Sequence, residues 1–310
     1  MKLCKPDKDI RVQKIKIDTG HRKIPALILT PKQQEGQRIE QQPESGQRQN
    51  RRSGQQSESD TRLEANQNPE QRTCVLWLHG GGYIAGMKEM VYMSRAVDLV
   101  KKFGVMVIAP GYRLAFQAPY PAAIEDCYEA LLYIKRNARQ LGIRENQIMV
   151  GGESAGGGLC AALCMMARDK GEVKIAYQMP LYPMMDNFDT ESSGNNHGRV
   201  WNTWKNHFGW RIYLRENAKK EVSPYAAAAR QTDYEGLPPA YTFVGTGEPF
   251  YCETLQYVEN LRKCGIEAEV TVYESDMHAF DMMDPESDLA KQAAERFNTH
   301  FAKALNQYFA

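Results

Sequence analysis

The amino-acid sequence predicts an α/β fold, built on a mostly parallel, doubly wound sheet with a small helical cap. Residues 73–78 and 105–109 are continuous apolar runs of strand length, as is typical of strands that a parallel sheet buries on both faces. Segments with a helical pattern, 89–103 and 124–141, alternate with these runs. Strands and helices that alternate at these lengths predict a sheet with helices packed on it.

The remaining elements continue the alternation toward both ends of the chain. Two strands that meet at Gly20 are expected to form an antiparallel pair ahead of the parallel strands. Catalytic groups are expected at the carboxyl ends of the parallel strands, where open α/β sheets bind their ligands. The further expected strands are 10–17, 24–29, 147–150, 173–179, 240–244 and 268–273, and the further expected helices are 254–263 and one from about residue 289.

The alternation is interrupted between residues 186 and 222, and this segment is the predicted cap over the strand ends. Trp201, Trp204 and Phe208 recur at i, i+3 and i+7, so residues 199–215 are expected to form an amphipathic helix. An ordinary surface helix has the same pattern, and its rings need not all meet a substrate.

Composition narrows the class of protein. With 310 residues, 42% of them hydrophobic and 25% charged, a single domain over residues 1–310 is expected. The formal net charge of +1 gives no argument for nucleic acid, an acidic substrate or an anionic membrane as a partner. No stretch approaches the roughly 20 apolar residues of a spanning helix, and the first residues lack the apolar core of a signal peptide. We therefore expect a cytoplasmic protein, whose oligomeric state the sequence leaves open.

The cysteines give the same expectation of a reducing compartment. All seven are scattered, and most lie in apolar segments, which favours reduced thiols in the core. Cys160 and Cys164 lie four residues apart on one helix face, but no His or Cys pair elsewhere has a matching ligand spacing. Core packing is therefore favoured over a metal site, and no metal is expected.

Residues 32–72 form a predicted disordered insertion between two strands. They contain no aromatic residue, and Ile39, Leu63 and Ala65 are their only apolar side chains. Such a segment buries too little surface to offset the entropy lost on ordering it. Its acidic and basic residues balance, whereas a nucleic-acid-binding arm would be basic.

The pentapeptide Gly152-Glu153-Ser154-Ala155-Gly156 is a G-x-S-x-G motif between a predicted strand and a predicted helix. Small residues let the backbone turn sharply under the serine, which lifts its hydroxyl group away from the sheet. The helix that follows presents free N–H groups and its positive end to an oxyanion. Ser154 is therefore the candidate nucleophile; the alternative is a small-residue turn that only packs a helix on a strand.

A second glycine-rich stretch, His79-Gly80-Gly81-Gly82, directly follows the strand at 73–78. Glycines let backbone N–H groups approach a ligand closely. Together with the N–H group of Ala155, those of Gly81 and Gly82 form the candidate oxyanion hole. A phosphate site is less favoured, because neither a P-loop lysine nor the G-x-G-x-x-G spacing is present.

A serine nucleophile needs a base and an acid, and the chain offers one of each after a late strand. His278 follows the strand at 268–273, and Glu248 follows the strand at 240–244. The order Ser154, Glu248, His278 is the Ser, acid, His order of α/β hydrolases. His300 lies inside the last predicted helix, where a structural role is favoured.

On these residues the sequence resembles the hormone-sensitive-lipase-like branch of the α/β-hydrolase esterases. The resemblance implies an α/β-hydrolase fold and a carboxylic ester hydrolase with a Ser-acid-His triad, without metal or cofactor. It extends over about residues 73–280. The matching segments are 79–82, 112–115 with 120–123, 152–157, 223–225 with 237–239, 248–250 with Glu253, and 278–280.

Three features depart from that family's usual pattern. Glu153 stands where the family usually has Asp, and we expect it to be structural. Glu248 also replaces a usual Asp, although glutamate serves as the acid in other α/β hydrolases. Few residues precede Ile10, where most members have helices that complete the cap, so a smaller cap and a more open acyl pocket are expected.

The sequence thus predicts a cytoplasmic serine esterase that hydrolyses small-molecule, short-chain acyl esters through an acyl-enzyme. Ser154 attacks, His278 transfers the proton and Glu248 orients the imidazole. An amidase, formamidase or deacetylase with the same triad is the enzymatic alternative. A non-catalytic binding protein with a hydrolase fold is the other, but such a protein has no reason to keep the serine, the histidine and the glycines together.

Overall fold

The computed structural model describes residues 5–32 and 71–310. In this part of the chain, eight strands form one sheet in the order β1-β2-β4-β3-β5-β6-β7-β8. The strands are β1 (Ile10–Asp18), β2 (Lys23–Pro31), β3 (Arg72–Leu78), β4 (Met106–Pro110), β5 (Ile143–Glu153), β6 (Tyr177–Leu181), β7 (Ala240–Gly245) and β8 (Ala268–Tyr273). β1 pairs antiparallel with β2, and β2 antiparallel with β4, while all other pairs are parallel.

Helices connect the strands and cover both faces of the sheet. They are α1 (Ala96–Phe103), α2 (Ala122–Arg136), α3 (Ala138–Leu141), α4 (Ala155–Lys170), α5 (Thr203–Leu214), α6 (Tyr251–Lys263), α7 (Phe280–Met283) and α8 (Asp288–Gln307), and short 3₁₀ helices cover Lys88–Met93, Arg215–Lys219 and Ala228–Arg230. Residues of α2, α4 and α6 pack in the core on one face, and residues of α1 and α8 pack on the other. The predicted mostly parallel sheet with helices on both faces is confirmed.

The central strands bring the two glycine motifs together. The parallel pair β3 and β5 is in a register that sets Leu78 opposite Gly152. The glycine-rich stretch after β3 and the serine turn after β5 therefore leave the sheet side by side. Every residue of β3 after Arg72 is buried, as the apolar run predicts for a strand covered on both faces.

Two predicted helices begin later than their periodicity suggests, because a polar residue within each has an extended backbone and its side chain caps the helix that follows. In the predicted helix 89–103, Ser94 is extended, and its Oγ accepts a hydrogen bond from the N–H group of Ala96 at 3.1 Å. In the predicted helix 199–215, Asn202 is extended and caps α5 by accepting from the N–H group of Lys205 at 3.1 Å. Side-chain caps of this kind satisfy the free N–H groups of a first turn and fix where the helix starts.

Most of the predicted insertion, residues 33–70, lies outside the described residues. At its described ends, the N–H group of Lys32 donates to the carbonyl of Asp9 at 2.9 Å, and Arg72 already belongs to β3. No helix within residues 5–32 and 71–310 has the length and apolar character that crossing a membrane requires.

The described cysteines carry free thiols, and four of them, Cys74, Cys127, Cys160 and Cys164, are buried. The Sγ atom of Cys160 donates to the carbonyl of Val150 at 3.5 Å, so this thiol faces the sheet. Among the described residues, no group of three or more His, Cys, Asp or Glu side chains is arranged to hold a metal ion.

Candidate active site

Ser154 occupies a strained turn between β5 and α4. Its backbone has φ 56° and ψ −119°, a conformation that costs a residue with a Cβ atom about 1–3 kcal/mol. The turn also excludes side chains at both glycines. A Cβ atom at Gly156 would lie 2.0 Å from the carbonyl oxygen of Leu78, and one at Gly152 would lie 2.6 Å from the same oxygen. The motif therefore needs its glycines for steric reasons.

Three strand ends bring the serine, the histidine and the glutamate into one hydrogen-bonded chain. His278 Nε2 lies 2.9 Å from Ser154 Oγ, and His278 Nδ1 lies 2.5 Å from Glu248 Oε2. All three side chains are buried, with Glu248 fully enclosed. The other oxygen of Glu248, Oε1, accepts a hydrogen bond from the N–H group of Gly245 at 3.2 Å.

Burial and the histidine act on Glu248 in opposite directions. Enclosure in the protein raises the pKa of the Glu248 carboxyl group, whereas the His278 charge and hydrogen bond and the Gly245 N–H group lower it. The imidazole itself is held between two rings. Tyr182 and Phe250 lie nearly perpendicular to it, with centroid separations of 5.3 Å and 5.0 Å. The ring that links the serine to the glutamate is thus confined on two sides.

The glycine-rich stretch lies directly against the serine turn. A Cβ atom at Gly80 would lie 3.3 Å from the Cβ atom of Ser154. His79 stacks on Tyr112 at a centroid distance of 4.1 Å, and the Tyr112 hydroxyl group donates to the His79 carbonyl at 2.7 Å. Burial lowers the pKa of His79 to about 4, so this imidazole is neutral and serves to fix the loop.

The three predicted oxyanion donors belong to the serine turn and to the glycine loop that lies against it. Ala155 is the first residue of α4, and Gly81 and Gly82 have positive φ values of 120° and 59°. Across the described residues, the N–H groups of these three residues donate no hydrogen bond in the turns and loops. Trp201 covers this loop, because a Cβ atom at Gly82 would lie 2.1 Å from a carbon of its indole ring.

Two acidic residues of the motifs have other partners than the triad. Glu153 accepts a hydrogen bond from Trp77 Nε1 at 2.8 Å, and burial raises its pKa to about 8. Glu253, which belongs to one of the matching segments, contacts the segment after β6. Its Oε1 accepts from the N–H groups of Met185 and Asp186, at 2.6 Å and 3.4 Å, because the first turn of α6 faces the segment after β6.

Sequence reasoning missed several residues around the histidine. Tyr182 follows directly on β6, and its position at a carboxyl strand end was an available signal. The contact of Trp201 with the glycine loop was hidden by its assignment to a helix that starts only at Thr203. Asp281, which binds the Tyr182 hydroxyl group, and its ion-pair partner Arg95 are marked by no motif. His300 lies on α8, away from Ser154, and stacks on Tyr241.

Comparison with known proteins places these features in a wider group. A family model described as the alpha/beta hydrolase fold matches residues 75–282. The chain is 31% identical over 223 residues to an AB hydrolase superfamily protein of Schizosaccharomyces pombe, an alignment that covers 68% of this chain and 64% of the relative. It is 30% identical over 213 residues to carboxylesterase NlhH of Mycobacterium tuberculosis, covering 66% of each chain.

Solved structures show the same likeness over nearly the whole chain. The structure of a bacterial heroin esterase superposes with a TM-score of 0.81 at 27% sequence identity, and the superposition covers 98% of this chain and 87% of that one. The matches to the two curated relatives are shorter. The chain spans less than two thirds of the length of each, 64% and 66%.

Proposed function

We infer that the chain, which belongs to the hormone-sensitive-lipase-like branch of the α/β-hydrolase family, is a serine carboxylic ester hydrolase. The observation that carries this inference is the buried chain from Ser154 through His278 to Glu248, set against the glycine loop. A nucleophile, its base and an orienting acid at hydrogen-bond distance are the arrangement that acyl transfer needs.

Acylation begins with the imidazole tautomer that carries its proton on Nδ1. In this form His278 donates to Glu248 and accepts the hydroxyl proton of Ser154 at Nε2. As that proton moves to Nε2, Ser154 Oγ bonds to the carbonyl carbon of the ester, and the carbonyl oxygen becomes an oxyanion. We assign the N–H groups of Gly81, Gly82 and Ala155 to this oxyanion, because within residues 5–32 and 71–310 none of them donates to a backbone carbonyl of a turn or loop. Their place in or next to the serine turn also supports this assignment.

Collapse of the tetrahedral intermediate expels the alcohol and leaves the acyl group on Ser154 Oγ. His278 gives its Nε2 proton to the departing alkoxide oxygen, so the alcohol leaves neutral. Water then repeats the sequence: His278 takes a proton from the water, the hydroxide attacks the acyl carbon, and the proton returns to Ser154. Glu248 remains a carboxylate throughout and stabilises the imidazolium in both steps.

We propose small acyl esters as substrates and residues 186–222 as a cap over the site. The contact of Trp201 with Gly82 supports both points, because an indole ring from this segment fills space next to the oxyanion donors. In the same proposal, the protein is a single domain that works in the cytoplasm. The free thiols of the described cysteines support a reducing compartment.

Labelling with an activated phosphonate ester tests the assignment of the nucleophile. The reagent forms a stable tetrahedral adduct with an activated serine, and peptide mass spectrometry locates the adduct. We expect one adduct on Ser154 with loss of esterase activity, and no adduct on the Ser154→Ala variant. An adduct on another residue, with Ser154 unmodified, would contradict the assignment.

A matched series of p-nitrophenyl esters and p-nitroanilides then separates the possible activities. We expect esters of short acyl chains to be turned over faster than long-chain esters, and all esters faster than the anilides. Faster turnover of the anilides would instead identify an amidase or deacetylase. Neither labelling nor turnover would favour a binding protein with a hydrolase fold.

A further inference from the structure

A buried ion pair lies behind the imidazole of His278. The Asp281 side chain is fully enclosed, and its Oδ2 lies 3.1 Å from Arg95 Nε. Its other oxygen, Oδ1, accepts a hydrogen bond from the Tyr182 hydroxyl group at 2.9 Å. Arg95 also pairs with the partly exposed Asp98 at 3.1 Å. Burying charged groups costs free energy. A protein in which apolar side chains replace such an ion pair is therefore often equally stable, and stability alone is a weak reason for the presence of the pair.

Asp281 is connected to the His278 imidazole in two ways, through the short chain segment between them and through Tyr182. Asp281 lies in the short helix α7, three residues after His278, and Ala279 between them has a positive φ of 56°. The second route runs through Tyr182, whose ring lies perpendicular to that of His278. The backbone N–H group of Tyr182 donates to the carbonyl of Phe243 at 3.1 Å, which ties the tyrosine to β7. The Tyr182 ring and its hydroxyl group thus connect the imidazole to Asp281.

Tyr182 itself adopts a backbone conformation that is unfavourable for a tyrosine. Its φ is 33°, and its side chain is among the largest that are fully buried. Positive φ at a bulky residue persists only where surrounding contacts hold it, and such strain clusters at functional sites. The hydrogen bond to Asp281 and the packing against His278 are contacts of this kind.

We propose that Tyr182 and Asp281, with Arg95 as the counterion, are positioning residues for His278 in the proposed hydrolase reaction. Tyr182 fixes the plane of the imidazole. Asp281 holds Tyr182 and adds a second negative charge near the ring, which favours the imidazolium that forms during attack. This inference rests on the proposed function. In it, the His278 imidazole is held both by Glu248 and by the pair of Tyr182 and Asp281.

The charges around Asp281 determine whether it can act in this way. The groups that face it are Arg95, Glu153, Glu248, His278 and the hydroxyl groups of Tyr182 and Tyr273. Burial raises the pKa of the Asp281 carboxyl group overall, and Arg95 and the Tyr182 hydroxyl group oppose this rise. Arg95 thus favours the ionised carboxylate, and a carboxylate near an imidazole favours its protonated form.

The test measures kcat/KM against pH for Asp281→Asn and Tyr182→Phe. Asp281→Asn removes the negative charge while Arg95 stays, so the acidic limb of the profile should move to lower pH by about half a unit or more. Its kcat on the plateau should fall by about tenfold, with KM nearly unchanged. Tyr182→Phe keeps the ring and loses only the hydroxyl bond, so kcat should fall about threefold or more, again at constant KM.

Matched controls separate positioning from general damage to the core. Asp126→Asn also removes a buried carboxylate paired with arginine, since Asp126 lies 2.9 Å from Arg113. Tyr241→Phe also removes a tyrosine hydroxyl bond, which joins Tyr241 to Thr271 at 3.0 Å. Both controls should leave the acidic limb and kcat unchanged. Asp281→Glu should restore most of the wild-type pH profile, because it restores the charge.

The proposal is overturned if folded Asp281→Asn and Tyr182→Phe match the wild type in kcat and in the acidic limb. It is also overturned if the controls shift these quantities equally. Where Asp281→Asn fails to fold, Tyr182→Phe decides through its split between kcat and KM. Phosphonate labelling of the wild type separates this question from the proposed function. If the wild type does not react, the proposed function fails, and NMR titration of the His278 imidazole in wild type and Asp281→Asn still tests the positioning. The variant has lost the nearby negative charge, so its imidazole should protonate at lower pH, and equal titration curves overturn the proposal.

Discussion

Two clusters of a histidine, a glutamate and a tyrosine lie at opposite ends of strands β7 and β8. At the carboxyl ends, His278 packs against Tyr182 and lies 2.5 Å from Glu248. At the amino ends, His300 stacks on Tyr241, the second residue of β7, and lies 3.7 Å from Glu269, the second residue of β8. The same three residue types are therefore present twice.

The two clusters differ in enclosure and in what the second imidazole nitrogen faces. The Glu248 side chain is fully buried, whereas that of Glu269 is 41% exposed. His278 has Ser154 on its other nitrogen, at 2.9 Å, and His300 has no such partner in the described part of the chain. Both histidines lie near a carboxylate, but only His278 lies at the carboxyl ends of the strands, next to the serine in the strained turn after β5. Its position therefore makes His278 the candidate catalytic base.

A cavity at the amino ends of the strands lies away from the candidate triad. A cavity of about 790 Å³ lies at the amino ends of β3 and β5, and its lining includes Gln71, Ile143 and Arg144. No residue of the candidate triad lines it. The candidate site is marked instead by backbone strain and a buried carboxyl group at the carboxyl ends of the strands. Ser154 and Tyr182 have positive φ values, and Glu248 is fully buried.

The largest expected effect separates the two histidines. Ser154→Ala and His278→Gln should each lower kcat for an activated short-chain ester by about 10⁶, because either change removes the attacking step. His300→Gln should stay within about threefold of wild type, since it contacts no member of the candidate triad. Turnover is measured per folded protein, with folding checked by circular dichroism. Substantial activity in Ser154→Ala, purified free of other esterases, would show that the nucleophile is misassigned.

The next effect separates the two glutamates. Glu248→Gln should lower kcat by about 10⁴, the loss known for the corresponding change of acid to amide in serine proteases, because the amide disfavours the needed tautomer. Glu248→Asp should lose less, since it keeps the charge on a shorter side chain. Glu269→Gln and the exposed Asp276→Asn are the matched controls and should keep nearly full activity. If Glu248→Gln stays within about tenfold of wild type while Asp276→Asn or Asp281→Asn collapses, the acid is another residue.

Most of the fold and the residues of the candidate triad could be predicted, because both depend on local patterns in the sequence. The apolar run of β3 marks a buried parallel strand, and the glycines around Ser154 are required by carbonyl oxygens that leave no room for a Cβ atom. The α/β-hydrolase fold expected from the resemblance is confirmed. Glu248 and His278 could be named because each lies in the loop that follows a strand, β7 and β8 respectively.

The surroundings of the imidazole could not be predicted, because they depend on contacts between distant segments. Arg95 and Asp281 are far apart in the sequence and meet only because α1 and α7 pack near the same strand ends. The contact of Glu253 with the N–H groups of Met185 and Asp186 also joins distant segments. The starts of two helices were also missed. Ser94 and Asn202 accept hydrogen bonds from N–H groups in the first turns of α1 and α5, and these bonds set where the helices begin. Hydrophobic periodicity does not reveal such caps.

The smallest expected effect concerns stability and a third glutamate at the carboxyl strand ends, Glu153. Burial raises its folded-state pKa to about 8, above the ordinary glutamate value of ~4.3. Below the ordinary value the carboxyl group is protonated in both the folded and the unfolded chain. As the pH rises toward 8, only the unfolded chain releases the proton, which stabilises the unfolded state. The stability that protonated Glu153 contributes is therefore lost as the pH rises through this window.

Glu153→Gln removes this titration while keeping an oxygen acceptor for Trp77 Nε1. We therefore expect the free energy of unfolding of the variant, relative to wild type, to increase between pH 5 and pH 8, by up to about 1.4 kcal/mol per pH unit. Urea unfolding at several pH values measures this difference. Glu259→Gln is the control, because Glu259 is exposed and pairs with Lys263 on the surface of α6. The difference between this variant and the wild type should stay flat. An equally flat difference for Glu153→Gln would mean that Glu153 is already ionised in the folded protein at these pH values. The carboxyl ends of the strands would then enclose the Glu153 charge in addition to the charge of Glu248.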